Sequence, residues 1–113
     1  MHELSISQNI VDIVKSHASK YHAKKVTEII IDIGEVSGIE KTALEFALEI
    51  LVKNTFLQDT KIIINIIPGK ARCSSCGNIF PVHDFISQCS NCGNIYPEII
   101  QGKNLKVKSI TVN

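Results

Sequence analysis

Residues 73–81 read Cys-Ser-Ser-Cys-Gly-Asn-Ile-Phe-Pro, and residues 89–97 read Cys-Ser-Asn-Cys-Gly-Asn-Ile-Tyr-Pro. The two stretches agree at seven of nine positions and differ only at Ser75/Asn91 and Phe80/Tyr96. All 4 cysteines of the chain fall in this repeat, as two C-x-x-C pairs. A C-x-x-C turn sets two sulfurs about one ion's width apart. Two such turns facing each other supply four tetrahedral thiolates, the donor set of a structural zinc site. A lone C-x-x-C is also the pattern of a redox dithiol, but a matched second copy favours metal. Cys73, Cys76, Cys89 and Cys92 are therefore the expected zinc ligands. Gly77 and Gly93 follow the second cysteine of each pair, where a small residue lets the backbone turn and aim amides at sulfur. Four protein thiolates leave no position for water or substrate, so the ion is expected to be structural.

The repeat lies in a stretch, residues 70–102, that is rich in Cys, Gly, Asn, Ser and Pro. Apolar residues are few here, so metal is expected to hold this stretch together. Regular elements flank it. Residues 4–21 show helical spacing, with Ile6, Ile10, Ile13, Val14 and Tyr21 on one side. Residues 26–33 are β-branched and apolar, and read as a strand. Ser37-Gly38-Ile39-Glu40 has the S-x-x-E pattern of a capping box. A second helix follows, with Ile39, Ala43, Phe46, Ala47, Ile50 and Leu51 on its expected apolar face. Residues 61–67 form a second strand, stopped by Pro68-Gly69. Residues 105–112 form a third, whose alternation slips near Ser109, as at a bulge. The expected fold is α+β: two helices packed on a three-stranded sheet, with an inserted four-cysteine zinc-ribbon module. The expected domains are residues 1–69 with 103–113, and the zinc module at 70–102.

Hydrophobic residues are 44% of the 113, aromatics only 5%, and Trp is absent, so the core must be aliphatic. The net charge of +1 is far from the strongly basic balance that binds nucleic acid by bulk electrostatics. Only Lys70, Arg72 and Lys103 stand at the base of the cysteine module, and no Lys or Arg lies between its ligands. Glu3, Asp12 and Lys15 interrupt the apolar positions of residues 1–20, so no signal peptide is expected, and no apolar run reaches the roughly 20 residues of a membrane span. A cytoplasmic protein without membrane or nucleic-acid partners is expected. No Ser/His/Asp set, phosphate-cradling glycine loop or HExxH motif occurs, so no catalytic residues and no enzyme activity are expected.

His2 is the second residue. By itself it is an ordinary exposed terminal histidine, but its chemistry allows more. Met1 is expected to be retained behind so large a neighbour. The terminal amine, the following backbone nitrogens and the His2 imidazole can then form adjacent chelate rings, and such nitrogen-rich, near-planar sets suit Ni(II) and Cu(II). Glu3 can add an oxygen or orient the imidazole. An imidazole ligand must be neutral, so nickel is expected to be lost as pH falls through the range near 6.5. His17 and His22, about 140° apart around a helix, make no clamp and read as surface residues. His83 lies between the cysteine pairs and is a candidate to sit behind the zinc ligands.

Together, the opening Met1-His2-Glu3, the Gly34-Glu35-Val36-Ser37-Gly38 segment, the paired C-x-x-C motifs and the closing Gly102 with Leu105-Lys106-Val107-Lys108-Ser109-Ile110 resemble the hydrogenase nickel-incorporation (maturation) protein family, HypA/HybF type. The resemblance spans the whole chain. It implies a nickel metallochaperone that binds Ni(II) as transient cargo at its N-terminus and helps insert it into [NiFe]-hydrogenase, some members also serving urease. It also implies structural Zn(II). The partners it implies are a nickel-handling GTPase and the hydrogenase large subunit. By position, His2 matches the family's nickel ligand, Glu3 a supporting residue, and Glu40 an acidic residue that reaches nickel in some members. Glu40 also has the competing role of capping carboxylate. Lys103-Asn104 and Thr111 depart from the acidic residues usual in the closing strand. Monomer and homodimer are both open, and the alternative function is a zinc-ribbon interaction or nucleic-acid-binding module without nickel.

Overall fold

In a computed structural model the chain is described at residues 3–83, 88–89, 91–93 and 97–113. Helix α1 (Glu3–Lys20) leads into strand β1 (Val26–Gly34) and helix α2 (Lys41–Val52). Strands β2 (Lys61–Ile67), β3 (Gly69–Arg72), β4 (Ile79–Val82), β5 (Glu98–Gln101) and β6 (Leu105–Val112) follow. They form two three-stranded sheets, ordered β2-β1-β6 and β4-β3-β5. The first is the sheet expected from the sequence. The second is built from three four-residue strands that begin at Gly69, at the edge of the cysteine-rich stretch, and are too short to show a period of their own.

The chain divides into two compact units. One comprises residues 1–32, 40–65 and 106–113; the other comprises 33–39 and 66–105. In the first unit, β1 is central to its sheet, and its run Val-Thr-Glu-Ile-Ile-Ile-Asp-Ile is buried at Val26, Ile29, Ile31 and Asp32. Asp32 is held by the Asn65 amide, which donates to its Oδ1 at 3.3 Å. The Thr60 hydroxyl donates to the Val26 carbonyl at 2.8 Å, tying the approach of β2 to the start of β1.

The inward faces of both helices overlap only in part with those their apolar residues mark: Ile10 and Val14 of α1 and Ala47 of α2 are buried as expected. In α1 the buried positions are Glu3, Ser7, Ile10, Val11, Val14 and Ala18, linked by steps of three and four that make one continuous stripe. Ile13 and Tyr21 are exposed. Small Ser7 and Ala18 also lie on the stripe, the Ser7 hydroxyl satisfied by the Glu3 carbonyl. In α2 the buried positions are Leu44, Ala47, Leu48 and Val52. Phe46 and Ile50, at 63% and 55% exposure, stand on the outer side. Leu44 and Leu48 supply an equally apolar face one residue on, so hydrophobicity alone did not distinguish the two.

The start of α2 also differs from a capping box. Glu40 has extended backbone (φ −89, ψ 122) and is itself the N-cap, with its carboxylate accepting from Thr42 N at 3.2 Å and Ala43 N at 2.7 Å. A residue outside the helix cannot be its third residue, and Ser37 instead closes a local turn by accepting from Ile39 N at 3.2 Å.

Candidate metal centre

The second unit is organised around β3. Ala71 faces Phe80 of β4 on one side and Ile99 of β5 on the other. Val36, Ala71, Phe80 and Val82 make a small core together with the buried cysteines Cys73 and Cys89, and Ile99 packs on it. The first knuckle follows β3 directly. Cys73 N donates to Asn78 O at 2.9 Å and Gly77 N to Cys73 O at 2.9 Å. The second knuckle repeats the latter bond, Gly93 N to Cys89 O at 3.0 Å. Gly77 and Gly93 have φ of +74° and +80°, a left-handed conformation that costs other residues about 1–2 kcal/mol. The glycine in each repeat copy is thus a condition of the turn.

These turns bring the four sulfurs together. Cys73 Sγ lies 3.3 Å from Cys92 Sγ, and Cys76 Sγ lies 3.7 Å from Cys89 Sγ. All four ligand atoms lie within 4.8 Å of one another. A tetrahedral zinc with Zn–S of about 2.3 Å has sulfur–sulfur edges of about 3.8 Å, so the four thiols fit the corners of such a site. The pairing is two-fold: the first cysteine of each knuckle meets the second of the other. The first of each pair is buried and the second exposed.

Backbone amides prepare the sulfurs for metal. Cys76 N donates to Cys73 Sγ at 3.5 Å, while Asn91 N and Cys92 N donate to Cys89 Sγ at 3.4 Å each. The Cys76 amide, ahead of smaller contributions from Cys92 and Ser75, holds the Cys73 thiol down at about 6. The Cys92 amide does the same for Cys89, whose thiol is lowered despite its burial. Thiolate is the form that binds metal.

His83, the candidate to sit behind the zinc ligands, is bonded to a carboxylate. Its ring is 78% exposed, and its Nδ1 is hydrogen-bonded to Glu35 Oε2 at 2.7 Å. The other oxygen of Glu35 accepts from Gly69 N at 2.8 Å. The Gly69 amide first, and His83 second, hold the Glu35 carboxyl below its ordinary value. Glu35 lies in one of the recognisable sequence motifs, yet nothing in sequence links it to a histidine 48 residues away.

A second set of candidate residues lies in the first unit. Met1 and His2 fall outside the described residues. Glu3, which opens α1, is buried. Its Oε2 accepts from the Glu40 amide at 3.4 Å, and its carbonyl accepts from the Ser7 hydroxyl at 2.6 Å. The fold therefore brings Glu3 and Glu40 together at the N-terminus of α2, where the helix dipole favours negative charge. His17 and His22 are exposed, and the His17 ring packs on Tyr21 with centroids 4.8 Å apart. Among the described residues, no helix is long and apolar enough to cross a membrane.

One unit in which Glu3 meets the start of α2, and a second with four clustered thiols, define a small protein with a candidate four-thiolate metal centre. The profile of the family described as hydrogenase/urease nickel incorporation, metallochaperone, hypA, matches residues 1–112, and the chain belongs to that family. It is 42% identical over 112 residues to the hydrogenase maturation factor HypA of Parabacteroides distasonis, covering 99% of this chain and 97% of that one. It is 37% identical to the protein of the same name from Legionella pneumophila (strain Lens), with 99% of both chains covered. The solution structure of the Ni metallochaperone HypA from Helicobacter pylori shares the fold, with a TM-score of 0.71, 24% identity, and 99% and 97% of the two chains covered.

Proposed function

We propose that this chain carries Ni(II) for insertion into [NiFe]-hydrogenase, holding it at the N-terminus through His2. Whole-chain membership of the nickel-incorporation family carries this conclusion. Its relatives named as hydrogenase maturation factors support hydrogenase as the destination; the family description also leaves urease open as a second one. Glu3 supports the site, because its buried carboxylate anchors the start of the chain to the Glu40 amide. Glu40 is a weaker candidate, since both its oxygens already cap α2. The unit containing residues 1–32 is then the nickel domain, and the unit containing the cysteines a zinc domain.

Zinc is the ion that Cys73, Cys76, Cys89 and Cys92 fit, and when bound it supplies a closed cross-link rather than a reactive centre. Nitrogen donors for nickel and sulfur donors for zinc keep the two ions apart by ligand chemistry. The chain acts as a carrier and not as an enzyme, in the cytoplasm, with a nickel-handling GTPase and the hydrogenase large subunit as partners. Family membership stands against the alternative of a nucleic-acid zinc ribbon.

Nickel titration calorimetry on zinc-loaded protein with a native N-terminus tests the proposal. Wild type is expected to bind about one Ni(II), and His2→Ala to lose it while keeping zinc. Equal binding by both would remove the N-terminus from the site.

A further inference from the structure

The two knuckles are stitched to each other by side-chain amides. Asn91, in the second knuckle, places its Nδ2 3.5 Å from Cys76 Sγ in the first. Asn78, which follows the first knuckle, places its Nδ2 4.0 Å from Cys89 Sγ in the second. We propose that Asn91, with Asn78 in a lesser role, is a positioning residue of the zinc site that shields a thiolate of the opposite knuckle against electrophiles and competing chelators. This rests on the zinc reading of the four cysteines.

A zinc ion with four thiolates keeps a net charge of −2, carried mainly by sulfur. An N–H donor draws on that charge and weakens the sulfur as a nucleophile, since thiolate nucleophilicity falls with basicity. The sulfurs do not need this equally. Cys89 is buried and accepts two backbone amides, from Asn91 and Cys92. Cys76 is exposed, so a reagent or chelator reaches it directly. The shorter of the two cross-knuckle amide contacts falls on this exposed sulfur. Position 91 is also one of the two places where the repeat copies differ, Ser75 standing there in the first copy. A serine has no side-chain amide, so that difference makes the halves of the site chemically unequal.

The test compares full-length, zinc-loaded wild type with Asn91→Ser, Asn91→Leu and Asn78→Leu. Asn91→Ser installs the residue that the first knuckle already carries. Zinc content and far-ultraviolet circular dichroism are measured first. Each protein then receives limiting iodoacetamide, with the first modified thiol located by mass spectrometry, and zinc transfer to a chromogenic chelator is followed in parallel. Both Asn91 variants are expected to hold zinc yet alkylate about tenfold faster at Cys76, in the range of effects seen when groups behind metal ligands are removed. Asn78→Leu is expected to favour Cys89, more weakly. Zinc retained with a wild-type alkylation pattern, or with all four thiols accelerated alike, overturns the inference alone. A wild type that holds no zinc overturns the zinc reading with it.

Discussion

At the scale of single residues, several polar groups act through two partners at once. Glu35 joins the Gly69 amide to the His83 ring, and its carboxyl is held below the ordinary value of 4.5. A carboxylate with a lowered folded pKa contributes stability above its unfolded pKa and loses it as pH falls through the folded value. Glu35→Gln is therefore expected to be less stable than wild type at neutral pH, with the gap closing as pH drops below the ordinary value of 4.5 and through the lowered folded value. Urea midpoints measured from pH 7 downward check this. Glu40 is the second such group, an N-cap on which nickel would also make a claim. Glu40→Ala is expected to cost about 1 kcal/mol, whereas Glu40→Asn should keep the cap within a few tenths. Any nickel deficit that remains in Glu40→Asn then reports on ligation rather than on folding.

At the scale of elements, the inward face of α2 is open to direct test. Leu48 is buried at 2% exposure while Phe46 is 63% exposed. Leu48→Ala is expected to destabilise by about 2–5 kcal/mol, and Phe46→Ala to stay within about 0.5 kcal/mol. Chemical denaturation would show the reverse order if the apolar face read from the sequence were the packed one. The end of β1 carries a tighter constraint. A Cβ added at Gly34 would overlap the Gly102 carbonyl and lie 2.7 Å from Lys103 N. Backbone atoms cannot step aside as a flexible side chain does. Gly34→Ala should therefore cost about 3 kcal/mol, the upper end for overpacking, in the same assay.

At the scale of the molecule, the two units depend on different forces. The first buries aliphatic residues of α1, α2 and β1. The second has a small core of which Cys73 and Cys89 are themselves part, so the zinc proposed for these sulfurs is expected to add to its cohesion. Structural zinc contributes roughly 10–16 kcal/mol to modules of this kind. Cys73→Ala, or prolonged chelation of wild type, is expected to unfold the β4-β3-β5 sheet while the helical signal at 222 nm largely persists. Loss of both signals together would mean that the units fold as one.

Much of this protein is written locally. The repeated C-x-x-C-G pattern determines the knuckles because both the turn and the donors are short-range: two sulfurs three residues apart, and a glycine where φ must be positive. The β-branched run of β1 and the helical spacing of α1 and α2 are local for the same reason. Even so, α2 offers two apolar faces, Phe46 and Ile50 beside Leu44 and Leu48, and periodicity could not choose between them. Only packing decides, because burial depends on what lies opposite. The same holds for Glu35 with His83, for Glu3 with the amide of Glu40, and for Asn91 with Cys76. Each is a polar contact between distant positions, and hydrogen bonds leave no period in a sequence; tertiary structure alone sets their partners.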